Sequence, residues 1–325
     1  MHLAFRFRGR AALLAAVLLP ASGAALASCG SAFCSINTNW NLQGAWTEPG
    51  ARLDLRYEYI KQDQPMSGDQ KLSVGQIPRH HDEVSTVNRN WLGTFDYAFD
   101  STWGTSAIVP VVDREHLHIH NHQGAQLPES WNFTELGDIR VLGRYQFPVR
   151  EGTDHQLNFF GLDFGLKLPT GKFDVKNSQG VPAERTLQPG SGTTDLVFGG
   201  YLQGSVPVKD MSWFAQALFQ DALNVRDEFR PGDRFALDLG LRYDLTPSLG
   251  LMLQVNTLLK AKDSGKEAEP DDSGGTFVFV SPGISYSLTR DVQVYGFVQL
   301  PLYQYVNGVQ LVANRAFALG VGGRF

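Results

Sequence analysis

From Arg52 to the end, the chain alternates apolar and polar residues with a period of two, the pattern of strands that present one face to an apolar medium and the other to polar groups. Leu53, Leu55, Tyr57 and Tyr59 point one way, and Arg52, Asp54, Arg56 and Glu58 the other. Trp91, Phe95, Tyr97 and Phe99 oppose Asn90, Thr94 and Asp96; Ile139, Val141, Tyr145 and Phe147 oppose Asp138, Arg140, Arg144 and Gln146. Near residue 240, Phe235, Leu237, Leu239, Leu241 and Tyr243 oppose Asp238, Arg242 and Asp244. Twelve such segments are expected, centred near residues 56, 94, 107, 142, 162, 200, 217, 240, 254, 281, 297 and 319.

The connections say which medium covers the apolar face. Short links fall at 100–102, 149–154, 208–210, 246–248 and 289–291, and long polar ones at 61–84, 113–135, 169–192, 225–233, 261–274 and 304–313. The two kinds alternate. A transmembrane barrel has this arrangement, with tight turns at the periplasmic rim and long loops outside. Closure is required because an open sheet edge in lipid strands unpaired backbone groups. The expectation is an all-β fold: a transmembrane antiparallel up-and-down β-barrel of about 12 strands, spanning residues 51–325.

Both ends agree. Arg6, Arg8 and Arg10 precede the apolar run Ala11–Leu19, which is too short to span a bilayer, and Ala25-Leu26-Ala27 is a small-x-small cleavage site. Residues 1–27 therefore read as a signal peptide, 28–50 as a periplasmic N-terminal segment, and the destination as the cell outer membrane. Phe317, Leu319, Val321 and Gly323 alternate up to the terminal Phe325, resembling the C-terminal signal by which the barrel-insertion machinery recognises its substrates. Gly323 departs from that pattern, where an aromatic is usual.

Composition fits this frame. The net charge of −5 suggests no nucleic-acid partner, and a charged fraction of only 19% beside 34 Gly and 21 Phe suits a barrel bathed in lipid. The chain is too short for a receptor with ~22 strands and a separate plug.

Three stretches carry a family resemblance: Leu136-Gly-Asp-Ile-Arg-Val-Leu-Gly-Arg-Tyr145, Lys167-Leu-Pro-Thr-Gly-Lys172, and Pro189-Gly-Ser-Gly-Thr-Thr-Asp195. Together they resemble the outer-membrane proteins named for the meta-pathway of phenol degradation, generally regarded as small-molecule transporters. The resemblance covers roughly residues 50–325 and implies fold and compartment more than cargo.

The candidate chemistry lies in three places. The inward positions Arg52, Asp54, Arg56, Glu58, Asp96, Asp138, Arg140, Arg144, Asp163, Lys167, Asp195, Asp238, Arg242 and Asp244 are either a selectivity ladder for a small solute or a structural network in a narrow barrel. At the outer rim, His116, His118, His120 and His122 occupy alternate positions, and His80 and His81 precede them in the neighbouring link. Neutral imidazole is the commonest ligand for Zn²⁺ and Cu²⁺, and Asp82, Glu83, Asp113 and Glu115 are nearby carboxylates. Alternate strand residues stand ~6.6–7 Å apart. A tight site therefore needs two of the four histidines plus partners from elsewhere, and binding should fade as pH falls through ~6.5. Cys29 and Cys34, the only two cysteines, read as a small disulfide loop; the rival reading is a lipoprotein box, Leu26-Ala27-Ser28-Cys29, that acylates Cys29 and orphans Cys34.

The functional expectation is a channel or transporter for a small solute, with outer-membrane lipid around it, metal capture at the histidine loop and no required cofactor. The alternatives are a surface metal-binding or structural barrel without transport, and an outer-membrane hydrolase. Pairs such as His81 with Ser85, or His116 with Asp113, lack an identifiable third group, so an enzyme is not expected.

Overall fold

The computed structural model describes residues 35, 36, 38, 49–122, 124–148 and 157–325; the signal peptide, its cleavage site, Cys29 and Cys34 lie outside the described residues. Thirteen strands form one sheet: β1 (Gly50–Gly68), β2 (Gln70–Lys71), β3 (His81–Ala98), β4 (Trp103–His122), β5 (Ala125–Leu136), β6 (Arg140–Pro148), β7 (Leu157–Lys167), β8 (Asp195–Ser205), β9 (Met211–Ala222), β10 (Arg234–Asp244), β11 (Leu249–Lys260), β12 (Gly275–Ser287) and β13 (Val292–Arg324). Every neighbour is antiparallel, and β1 pairs with β13 from Arg52↔Arg324 onward, which closes the ring. β2 and β5 stand outside the ring as partners of β1 and β4.

β13 supplies two staves. It pairs with β12 up to Val306 and with β1 from Val306 to Arg324, and it turns at Asn307-Gly308, where Gly308 adopts a positive φ of 56°. Its two ends then meet, with the Arg324 N–H donating to the Asp291 carbonyl at 2.9 Å. Eleven elements thus build a ring of twelve staves, and each of the twelve expected centres falls on one of them.

The outer face is apolar because lipid replaces the protein core there. Leu53, Leu55, Phe95, Phe198, Leu239 and Leu319 are all exposed, Leu319 by 63%. The belt ends where outward positions turn ionic. Lys61 pairs with Asp63 at 2.8 Å, and Arg89 reaches Asp113 and Glu115, each at 3.4 Å. Beyond those pairs β1, β3 and β4 rise above the apolar belt.

At the opposite rim three of the tight turns share one device. A side-chain oxygen accepts from the backbone as the next strand begins: Asp100 from Trp103 N–H (2.7 Å), Thr246 from Leu249 (3.0 Å) and Thr289 from Val292 (3.0 Å).

Three of the expected long loops need correction. Much of 61–84, 113–135 and 304–313 is strand: β1 continues to Gly68, β4 runs to His122 and pairs with β5, and β13 continues on both sides of its turn. Above the lipid the outer face of a strand no longer meets hydrocarbon, so the strict alternation vanishes while the backbone ladder persists. Asp113 and Glu115 outward against Arg114 and His116 inward show it. The links 168–194, 223–233 and 261–274 are largely irregular, and all three pack together over the mouth. Arg185 donates to the Arg226 carbonyl (3.2 Å), and Arg230 and Ser264 exchange backbone hydrogen bonds.

Candidate functional site

The inward charges surround a cavity of about 340 Å³. Arg52, Arg56, Arg140, Arg144, Arg234 and Arg324 line it together with Asp54, Asp96, Asp163 and Asp238. The carboxylates are held by neighbouring staves. Tyr295 OH donates to Asp54 (2.9 Å), Gln216 to Asp163 (2.9 Å) and Asn256 to Asp238 (2.8 Å). Between the charges, Leu92, Ile108, Leu142, Leu218 and Leu258 give the wall an apolar side.

Ser35, Ile36 and Thr38, the described residues of the N-terminal segment before Pro49, also line this cavity. The Ile36 N–H donates to Glu58 at 3.2 Å, and Arg56 donates to the carbonyl and the hydroxyl of Thr38, both at 2.8 Å. Arg56 also pairs with Glu58 at 2.8 Å.

Of the fourteen inward charges read from the sequence, eight line the cavity. Arg234 and Arg324 were missed, although Arg234 shares the parity of Asp238 and Arg324 alternates with the outward Val321 and Phe325, which marks both as inward. Arg242 pairs with Asp244 at 2.7 Å, away from the cavity lining.

Asp138, Lys167 and Asp195 form a separate knot. Lys167 Nζ reaches Asp138 at 2.8 Å and Asp195 at 3.1 Å, and it donates to the hydroxyls of Ser191 and Thr193. Asp138 in turn accepts from the backbone of Gly171 (3.0 Å) and Ser191 (2.9 Å). The three sequence stretches that carry the family resemblance are therefore one structural latch at the base of the β7–β8 link. Gly171 is required by close approach: a Cβ there would stand 2.8 Å from atoms of Gly137 and Gly190.

The histidines meet at the mouth. β3 and β4 pair His81 with His120, Glu83 with His118 and Thr86 with His116, so these side chains share the inner face above the lipid. His116 and His118 are 0% and 1% exposed. Thr86 Oγ1 lies 2.8 Å from His116 Nδ1, which leaves Nε2 to face Glu83 at 3.3 Å. His81 Nε2 lies 2.8 Å from His120 Nδ1, while its Nδ1 is 3.7 Å from Glu184, a residue of the β7–β8 link. His118 Nε2 lies 3.1 Å from Glu129 of β5.

Three groups of side chains bring one ligand atom each to within 4.8 Å of one another: His80, His81 and His120; His81, His118 and Glu184; Glu83, His116 and His118. His118 belongs to two of them. His122 belongs to none, and its ring lies 5.9 Å from that of His120. Of the four carboxylates suggested from the sequence, only Glu83 joins. Asp113 and Glu115 point outward to Arg89, and Asp82 accepts from Asn121 at 2.8 Å. Glu184 had no signal in the sequence, being about sixty residues away in an irregular link.

The pairs weighed for hydrolase chemistry do not assemble either. Ser85 pairs with the outward Leu117, and Asp113 is outward, whereas His81 and His116 face in.

Burial dominates the electrostatics of this cluster, all of it above the membrane. It holds His81 down at about 3, with His118 and His80 reinforcing the shift, and pushes His116 well below the usual imidazole range. It raises Glu184 to about 8 and Glu269 to about 9, and it raises Glu83 as well; Asp272 and Glu129 add repulsion at Glu184, and Glu184 adds repulsion at Glu269 and Glu83. His81 Nδ1, His116 Nε2, His118 Nδ1, Glu83 Oε2 and both Glu184 oxygens are buried without a hydrogen-bond partner among the described residues. Each such atom costs roughly 1–3 kcal/mol unless something coordinates it. Neutral imidazole nitrogens beside carboxylate oxygens are the donor set of a Zn²⁺ or Cu²⁺ site.

Comparison with known proteins places the fold. The chain is similar to an outer-membrane channel from Pseudomonas putida F1, with a TM-score of 0.65, 11% identity, and coverage of 90% of this chain and 100% of the other. Two weaker similarities are to the NanC porin (TM-score 0.43, 12% identity, covering 84% and 100%) and the KdgM porin (TM-score 0.40, 10% identity, covering 84% and 99%). No curated protein sequence is significantly similar to this chain. Residues 79–310 match the family model described as "Putative MetA-pathway of phenol degradation", and the chain belongs to that family.

Proposed function

We propose that this protein is an outer-membrane channel that passes a small solute through its charged bore, and that its mouth captures a divalent transition-metal ion, Zn²⁺ or Cu²⁺. The observation that carries the first part is the closed, lipid-belted ring around a cavity lined by six arginines and four aspartates. Each inward charge must be paired or hydrated, and the cavity leaves room beside them for water and a polar solute. The similarity to a channel fold supports the same reading. Export with cleavage near Ala27, and insertion guided by Phe325, complete the route. Phe325 is 78% exposed and holds its place by donating its N–H to the Ala51 carbonyl at 2.9 Å.

The metal part rests on the unpartnered nitrogens of His81, His116 and His118 facing Glu83 and Glu184. Conductance of the purified protein in a planar bilayer tests the channel. Calorimetry with zinc, on the folded protein and on a variant with His81, His116 and His118 replaced by Ala, tests the capture. Binding to the native protein and its loss in the variant is the expected result.

A further inference from the structure

The metal ligands do not all belong to the barrel wall, and this bears on what the ion does. His81 and His118 stand on β3 and β4, whereas Glu184 comes from the link between β7 and β8. That link is latched at its base by Lys167, Asp138 and Asp195. From there it crosses the inner side of the mouth past β6 and β4 until Glu184 lies 3.7 Å from His81. Two contacts flank Glu184 along the link: the Val181 carbonyl accepts from Trp131 Nε1 at 3.0 Å, and the Leu187 carbonyl accepts from Arg114. Leu187 and Ala183 are buried against Val112, Trp131 and Phe133 on the inner face of β4 and β5.

A second link, between β11 and β12, arrives from the far side of the ring. It brings Glu269 close enough to Glu184 and Glu83 to repel both, and its Asp272 pairs with Arg79. Two crossing links thus meet over the mouth, and acid faces acid where they meet the wall. Arg185, the cation next to Glu184 in the chain, is turned away, donating to the carbonyls of Phe173 (3.1 Å), Ser191 (2.9 Å) and Arg226 (3.2 Å). Among the described residues no hydrogen-bond donor reaches either Glu184 oxygen, and His118 Nδ1 is likewise without a partner. A dication at this point satisfies those atoms together and ties the link to the wall.

Resting on the reading that the mouth binds a metal ion, we propose that an ion held by His81, His118 and Glu184 clamps the β7–β8 link across the mouth and so lowers the conductance of the pore. The ion is then a regulator of passage and not the cargo. An ion at this point draws on His118, which the group with Glu83 and His116 also uses, and on His81, which the group with His80 and His120 also uses.

Zinc is the probe, and the wild-type protein alone gives the first test. Zinc should lower single-channel conductance or open time and slow tryptic cleavage after Lys176 and Arg185, and a chelator should reverse both. Glu184→Gln, verified as folded by its heat-dependent gel mobility, should bind zinc more than ~10-fold more weakly and conduct the same with or without it. If calorimetry shows zinc bound to the wild type while conductance and cleavage do not change, the clamp is overturned and the capture reading stands. If zinc does not bind at all, both fall.

Discussion

On the proposed reading of the mouth as a metal site, single residues set when the ion binds. From the sequence, histidine protonation was expected to end binding as pH falls through ~6.5. Burial changes the competitor. His81 is held at about 3 and stays neutral across the physiological range, whereas Glu184 is raised to about 8 and must give up a proton to become a ligand. Zinc affinity should therefore climb by about tenfold per pH unit up to ~8 and level off above it. Calorimetry in buffers of different ionisation enthalpy should count about one proton released per zinc at pH 7. A flat affinity between pH 6.5 and 8 would contradict the burial argument. The same shift bears on the metal-free protein. A folded value raised above the unfolded one gives stability that is present below the unfolded value, ~4.5, and lost as pH rises through the folded one. Without metal, tryptic cleavage of the β7–β8 link should thus quicken from pH 7 to 9, and zinc should suppress the increase. Lys167 is the opposite case, a cation sealed between Asp138 and Asp195. Lys167→Met leaves two buried carboxylates without their counter-ion and should cost about 3–5 kcal/mol, read as a lower temperature of conversion to the unfolded gel band.

At the scale of elements, what the sequence disclosed depended on the medium around each one. Strands inside the lipid belt were legible residue by residue, since Leu53, Leu55 and Tyr57 must face hydrocarbon while Asp54 and Arg56 cannot. Above the belt that constraint ends, and β5 with the upper half of β4 was read as a loop. The histidines betrayed themselves by alternation alone, because their inward face on β4 follows from strand geometry whatever surrounds it. Glu184 and Leu187 could not be found this way, for an irregular link has no periodicity to read, and only the tertiary fold sets them against β3, β4 and β5. The docking of that link is testable by itself. Leu187 is fully buried, so Leu187→Ala should remove about 2–5 kcal/mol from the packing of the link. Proteolysis within 169–192 should accelerate while the barrel keeps its heat-dependent mobility. Acceleration throughout the chain would show instead that the link supports the whole barrel.

At the scale of the whole molecule, twelve staves close without an edge, and the last stave ends on Phe325 beside the first. Deleting Phe325 should reduce the amount of folded protein in the outer membrane severalfold, measured by fractionation. An unchanged yield would mean that recognition lies elsewhere. Among the described residues ten charges line the bore, and the sequence disclosed eight of them by parity alone. Whether those charges face a path through the membrane is read most directly by single-channel recording of the purified full-length protein in a planar bilayer. With zinc removed by chelator, discrete conductance steps are predicted, and Arg140→Glu with Arg144→Glu should shift the reversal potential in a salt gradient toward cations. A folded, heat-modifiable barrel that inserts yet gives no steps with or without chelator would contradict the channel.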